Sequence, residues 1–185
     1  MTRPMSTQHS VGPDESRRVV FETRRLVVRR WCDSDVDSLI RVYGDTDAMR
    51  WVGDGRPLGE PDCRAWLSVT QRNYETRGYG MFAVECLSAP GVIGFIGLVH
   101  PAGQEQVEVK YAFARPHWRL GFATEALSGL LSYAAQVLSL KRVIATVAPE
   151  NLASQAVLKK AGMTRTGGRA NEDGSLTDIY EYCAS

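Results

Sequence analysis

The sequence predicts a mixed α/β domain, and three observations carry that reading. Three strand-like segments joined by proline and glycine turns follow one another in the middle of the chain. Strands then alternate with segments of helical periodicity towards the C-terminus. At 185 residues and 44% hydrophobic content, one domain can bury roughly 70% of its unfolded surface, so its core needs no disulfide or structural metal.

Residues 1–18 carry Pro4, Gly12 and Pro13 among scattered polar residues and almost no apolar clustering, which predicts a disordered tail before a single domain over 19–185. The segment lacks the apolar core of a signal peptide, and no apolar run approaches the roughly 20 residues that cross a bilayer, so a soluble, cytoplasmic protein is expected. Residues 19–30 read as one strand centred on Leu26, Val27 and Val28, with Trp31 at its end. Asp33 then caps a helix with Val36, Leu39, Ile40 and Tyr43 at helical spacing, and Gly44 stops it. A short helix over 45–52 and a longer one over 61–77 follow, the second presenting Trp66, Leu67, Val69, Thr70 and Tyr74. Strands are expected over 81–86, 92–100 and 106–113, with turns at Pro90-Gly91 and Pro101-Ala102-Gly103. A helix over 121–138 has a broad apolar stripe (Ala123, Ala126, Leu127, Leu130, Leu131, Ala134) that must pack on the sheet. A buried strand over 142–148 is broken by Pro149, Asn151 caps a helix that Gly162 closes, and 163–182 reads as a hairpin.

With 22 Lys and Arg against 21 Asp and Glu, the net charge of +1 argues against a nucleic-acid-coating protein. Cys32, Cys63, Cys86 and Cys183 lie far apart, with no C-x-x-C pair and no histidine at ligand spacing, so no metal site is expected and a reducing compartment is. His100 and His117 read as loop residues, and Trp31, Trp51 and Trp66 as core or cleft wall.

Two segments carry chemistry. In the first, residues 108–126 (EVKYAFARPHWRLGFATEA), a strand passes through a short loop into a helix whose first N–H groups and positive dipole end suit an anion, with Gly121 permitting close approach. Alone, Gly121 equally well eases a strand-to-helix turn. In the second, residues 149–163 (PENLASQAVLKKAGM), Asn151 and Ser154 sit one helical turn apart after a buried strand. Alone, Asn151 is equally an ordinary cap, and Lys159 and Lys160 equally complement the helix C-terminus.

Taken together, in this order and spacing, the two segments resemble the acetyl-CoA signature of the GNAT superfamily of N-acetyltransferases. Glu-Val-Lys-Tyr, Pro-x-Trp-x-x-Gly-x-Ala-Thr-Glu-Ala and Pro-x-Asn-x-x-Ser-x-x-x-Leu-x-Lys-x-Gly are similar to the RimJ/RimL-like branch, which contains ribosomal-protein N-terminal acetyltransferases. The opening residues 22–31 (ETRRLVVRRW) with Asp35 resemble that branch's first strand. The resemblance implies the acyl-CoA N-acyltransferase fold, a largely antiparallel sheet with splayed central strands and flanking helices, and acetyl-CoA as co-substrate without a metal. It places the pyrophosphate on Arg119, Leu120, Gly121, Phe122, Ala123 and Thr124, and the pantetheine arm on the backbone of Phe113 and Ala114 and on Asn151. Ser154 and Lys160 join the implied cofactor contacts. Trp118 stands where the superfamily usually has Arg or Gln.

The reaction requires an amine to lose a proton and a thiolate to leave. Alternation puts Val107, Val109, Tyr111 and Phe113 on one strand face, and Gln106, Glu108 and Lys110 on the other, so Glu108 is directed away from the apolar packing. By pattern it is a solvated carboxylate or a functional one; the resemblance implies a general base, acting directly or through water. Lys110, where many relatives have glycine, lies roughly 7 Å away along the strand, where its ammonium favours the ionised carboxylate and so weakens Glu108 as a base. Leu158 stands where the superfamily has its tyrosine acid; the resembled branch uses the serine of N-x-x-S, so the resemblance implies Ser154 as the acid, with solvent as the alternative. A covalent cysteine route finds no activating base.

The resemblance implies acetyl transfer to a primary amine, a protein or peptide N-terminus or a small amine, by direct attack in a ternary complex. The alternatives are an aminoglycoside-type or polyamine acetyltransferase, or an acyl-CoA-binding module without turnover. No nucleic-acid or membrane partner is expected, and a homodimer is left open. Asp45, Asp47, Asp54, Glu60 and Asp62 against Arg50 and Arg56 make an acidic stretch on the expected acceptor side, either a wall that attracts amines or helix caps and solvated carboxylates.

Overall fold

The stretch expected as one strand folds back on itself. In the computed structural model, which describes residues 17–184, β1 (Val19–Glu22) and β2 (Leu26–Arg29) form an antiparallel hairpin. Thr23 makes the turn: its N–H donates to the Leu26 carbonyl at 2.9 Å and its hydroxyl accepts from the Leu26 N–H at 3.1 Å. The tail expected over 1–18 lies outside the described residues apart from Arg17 and Arg18.

A 3-10 turn at Asp33–Asp35 precedes α1 (Val36–Tyr43), so the cap falls two residues later than the sequence suggests. Gly44 ends α1 because a Cβ there would lie 2.5 Å from the Ile40 carbonyl oxygen. The buried Arg29 guanidinium ties this corner together, donating from Nη1 to Asp35 Oδ2 at 2.6 Å and from Nη2 to Asp35 Oδ1 at 2.9 Å and Glu85 Oε1 at 2.6 Å. Burial alone pushes Asp35 up, but bonds from Arg29 and Cys32 outweigh it and take its pKa from the ordinary 3.8 to about 2.

Asp45 caps α2 (Thr46–Met49), its carboxylate accepting from the N–H groups of Asp47 and Ala48 at 2.9 and 3.1 Å. The longer α3 (Glu60–Arg77) buries Cys63, Leu67, Thr70 and Tyr74. Val69, placed in the apolar stripe by sequence, is 54% exposed, because the buried set defines a face that excludes it.

β3 (Met81–Cys86), β4 (Ala89–Val99) and β5 (Glu108–Phe113) form the expected meander. The first reversal falls at Leu87 and Ser88, so Pro90 and Gly91 lie within the start of β4 rather than in the turn. There follow α4 (Phe122–Gln136), β6 (Arg142–Val147), α5 (Leu152–Lys160), β7 (Thr164–Ala170) and β8 (Leu176–Cys183). The eight strands make one sheet in the order β1-β2-β3-β4-β5-β6-β8-β7.

Each strand pair is antiparallel except β5 with β6, which run parallel and meet at one register point, Glu108 opposite Ile144, where the Ile144 N–H donates to the Val107 carbonyl at 2.9 Å. Past that point the two strands diverge, so the centre of the sheet opens into a V. One sheet face packs Val109, Phe113, Val143 and Ala145 under the stripe of α4 and Leu158 of α5. The other packs Trp31, Phe95 and Ala112 under Leu39, Val42, Tyr43 and Leu67 of α1 and α3. Both faces are therefore covered, which decides how the site residues on β5 are buried.

Candidate active site

Residues 119–124 occupy the turn into α4. Gly121 is its N-cap at φ +81°, and Arg119 also lies in the left-handed region at φ +60°. The N–H groups of Phe122, Ala123 and Thr124 belong to the first turn, and the helix behind them runs for 15 residues. Arg25 pins the loop. It donates from Nη1 to the Leu120 carbonyl at 3.0 Å, pairs through Nε with Glu125 Oε2 at 2.6 Å, and lies 4.5 Å over the Phe122 ring. Burial alone would raise the Glu125 carboxyl, but hydrogen bonds from Thr23 and Arg25 outweigh it and hold it below the ordinary range. Thr23, Arg25 and Glu125 were missed as site-shaping residues, although all three lie within the motifs quoted above.

The edge of β5 that faces the V is set by alternation. Val107 presents its carbonyl to β6, so Val109, Tyr111 and Phe113 present theirs in the same direction. The Ala114 N–H points the other way, donating to the Ile93 carbonyl at 2.9 Å. The Trp118 indole donates to the Phe113 carbonyl, which gives this departure from the superfamily pattern a defined task at the end of the edge.

Glu108 is not solvated: it is 1% exposed. Its carboxylate is met by three donors. Gln104 Nε2 donates to Oε2 at 3.0 Å, while the Thr146 hydroxyl and the Lys110 ammonium both reach Oε1. Lys110 also donates to Thr146 Oγ1 at 3.1 Å, so its side chain bends across to β6 and contacts Glu108 directly instead of standing one strand repeat away. Gln104 is held by its own backbone: its carbonyl contacts His100 Nδ1 at 2.9 Å, and His100 Nε2 contacts the Tyr79 hydroxyl at 2.9 Å. His100 is thus an anchored loop residue.

Across the V, Asn151 is the N-cap of α5, its Oδ1 accepting from the Ser154 N–H at 3.1 Å. Ser154 Oγ lies 2.7 Å from the Tyr111 hydroxyl, which approaches from β5. Burial raises the Tyr111 pKa to about 12 against the opposing hydrogen bond to Ser154, so the phenol stays protonated at neutral pH. Leu158 is 1% exposed and fills the core. Lys160 sits exposed at the opposite end of α5 from Ser154 and is not brought to the cluster. Glu108 therefore lies at the closed end of the V, with Lys110 and Thr146 just beyond it on the same sheet face, and Tyr111 and Ser154 lie on the α4/α5 face.

The acidic stretch beside α2 is largely paired. Asp45 caps its helix, Asp47 binds Arg115 at 2.6 Å, Glu60 binds Arg64 at 2.8 Å, and Arg56 lies 3.8 Å from Asp54. Trp31 is buried, whereas Trp51 is 46% exposed. Among the described residues no group of three or more His, Cys, Asp or Glu is placed to hold a metal, and no helix is long and apolar enough to cross a membrane.

A family model described as Acetyltransferase (GNAT) domain matches residues 25–164. The uncharacterized N-acetyltransferase YnaD of Bacillus subtilis is 28% identical over 145 residues, covering 78% of this chain and 82% of YnaD. A GNAT-family acetyltransferase from Bacillus anthracis shares the fold at TM-score 0.73 and 24% identity, over 88% of this chain and 96% of that one. RimL, a ribosomal L7/L12 alpha-N-protein acetyltransferase solved with coenzyme A, superposes at TM-score 0.77 and 16% identity, over 89% of this chain and 97% of RimL.

Proposed function

The chain belongs to the GNAT acetyltransferase family and is an acetyl-CoA-dependent acetyltransferase, and from that premise we propose that it acetylates a primary amine, a peptide N-terminus or a small amine, by direct attack in a ternary complex. The observation that carries this reading is the V between β5 and β6, with a buried carboxylate on one face and a serine paired to a tyrosine on the other. A thioester lying in the V would sit between Thr146, which bonds that carboxylate, and Ser154.

Acetyl-CoA supplies the activated acyl group. The left-handed Gly121 and the first-turn N–H groups of α4 fit its pyrophosphate, and the V-facing backbone of Tyr111 with the Phe113 N–H fits the amides of its pantetheine arm, the Phe113 carbonyl being taken by Trp118 and the Ala114 N–H by Ile93. Asn151, fixed as a cap, sets the direction of Ser154. On the acceptor face, Glu108 is too enclosed to meet an amine itself. Thr146 is half-buried, donates to Glu108, and retains a lone pair, so the amine proton passes to Thr146 Oγ1 as the Thr146 proton passes to Glu108. Lys110 and Gln104 hold the carboxylate in place through direct contacts. On the opposite face, Ser154 hydrogen-bonds the departing thiolate. The pairing of Asp47 and Glu60 with arginines lowers the attraction of the α2 region for polycations, which favours a singly charged amine over an aminoglycoside.

The test is an acceptor screen of N-terminal peptides, small amines and aminoglycosides, following free thiol release from acetyl-CoA. Glu108→Gln is expected to keep the acetyl-CoA-induced thermal shift while transfer falls about 10² to 10⁴-fold, and Ser154→Ala to lose less. An unchanged rate in Glu108→Gln removes the carboxylate from the reaction. Turnover of aminoglycosides with none of any peptide or small amine overturns the acceptor class.

A further inference from the structure

We propose that Tyr111 is a positioning residue for the leaving-group step, donating its phenolic hydrogen to Ser154 Oγ so that the serine hydrogen is aimed at the departing sulfur. The inference rests on the reading of Ser154 given above. The Tyr111 and Ser154 oxygens are 2.7 Å apart, the usual separation of a well-formed O–H···O bond, while the Ser154 carbonyl is a distant 3.4 Å from the phenol. Tyr111 comes from β5 and Ser154 from the first turn of α5, so the bond ties β5 to the helix that follows β6. The phenol is held protonated by its surroundings and therefore always has a hydrogen to give. A serine that accepts from a buried tyrosine donates more strongly through its own hydrogen, because linked hydrogen bonds polarise one another.

The electron balance is simple. When the tetrahedral adduct collapses, the carbon–sulfur bond breaks and its electron pair goes to sulfur. Ser154 donates a hydrogen bond to that thiolate, Tyr111 donates one to Ser154, and neither residue loses an atom. The thiolate takes its proton from solvent on release.

The pair can be tested without knowing the acceptor, by titrating the thiol of CoA bound to the full-length protein. Its thiolate absorbance is read as a difference against the complex with S-methyl-CoA, which cancels tyrosine and cysteine ionisation. Bound CoA is expected to ionise at lower pH than free CoA. A hydrogen bond worth about 1 kcal/mol corresponds to roughly 0.7 pH units, so Tyr111→Phe should move the midpoint up by about that much and Ser154→Ala by more. The double variant should match Ser154→Ala, since Tyr111 acts through the serine. A shift in Ser154→Ala with none in Tyr111→Phe overturns the role of Tyr111 and leaves that of Ser154 standing. No shift in either variant overturns both. Should Tyr111→Phe misfold, 3-fluorotyrosine at position 111, a stronger donor of nearly the same shape, must lower the midpoint below wild type; an unchanged midpoint refutes the proposal.

Discussion

Replacing Gly121 by valine sets backbone strain against cofactor affinity at one residue. At φ +81° a β-branched side chain costs about 2–3 kcal/mol. The added Cβ itself meets nothing closer than Arg25 Nη2 at 3.4 Å, an ordinary contact, so the penalty is conformational rather than a clash. Without cofactor the loop escapes it by leaving the left-handed region, which turns the first N–H groups of α4 away from a phosphate. The bound state must restore that geometry, so affinity falls about 30- to 150-fold, at 1.4 kcal/mol per decade. At an acetyl-CoA concentration one hundred times the wild-type Kd, linkage stabilisation drops from about 2.7 to between about 0.3 and 0.9 kcal/mol. At 2–4 °C per kcal/mol for a chain of this size, the ligand-induced rise in Tm shrinks from roughly 5–11 °C to below about 4 °C. Gly174, also at φ +81° and with nothing within 4 Å of its added Cβ, lies in the turn of the terminal hairpin and serves as the control. Gly174→Val should lose stability yet keep the full ligand-induced rise, as measured by differential scanning fluorimetry with and without acetyl-CoA. A full rise in Gly121→Val, or an equal loss in both variants, refutes the assignment of this loop to the pyrophosphate.

Two further outcomes concern the scaffold. Asp35 is depressed to about 2 when folded, so its contribution is complete above its unfolded value near 4 and is lost as pH falls towards 2; urea titrations should show about 2 kcal/mol disappearing across that window, and a flat stability there contradicts the Arg29–Asp35 pairing. Gly97→Ala puts a Cβ 2.2 Å from the Gly80 carbonyl oxygen and 2.5 Å from Met81 Cα, forcing β3 from β4 at a cost of about 3 kcal/mol, read as a fall in the denaturation midpoint with an unchanged slope.

What was legible in the sequence was local. Gly44, Asn151 and Gly162 mark helix ends through residues that act on their own neighbours, and those ends fall where the residues say. The β1–β2 reversal was not legible, because its turn, Thr23-Arg24-Arg25, contains no glycine, proline or asparagine. Thr23 holds it partly through Glu125, one hundred and two positions away. The alternation on β5 correctly divided Glu108 and Lys110 from Val109 and Phe113, but a period of two reports which side a residue takes, not whether helices roof that side. The carboxylate of Glu108 is enclosed by Gln104, Lys110 and Thr146, which the fold brings to it. The bond between Tyr111 and Ser154, 43 positions apart, is likewise a product of the fold. The motifs identified the family because they record that product in compressed form.

The solitary rung between Glu108 and Ile144 has a mechanical consequence. A sheet joined at one point is two leaves on a hinge, five strands on one side and three on the other, with helices behind as the binding. Bending modes concentrate at such a seam, so the softest collective motion of the molecule opens and shuts the space where the two faces meet. Amide hydrogens of Tyr111, Phe113 and Thr146, which face the seam beyond the rung, therefore exchange faster than those of the paired strands on either side, and any molecule that bridges the leaves stiffens the whole book rather than one page.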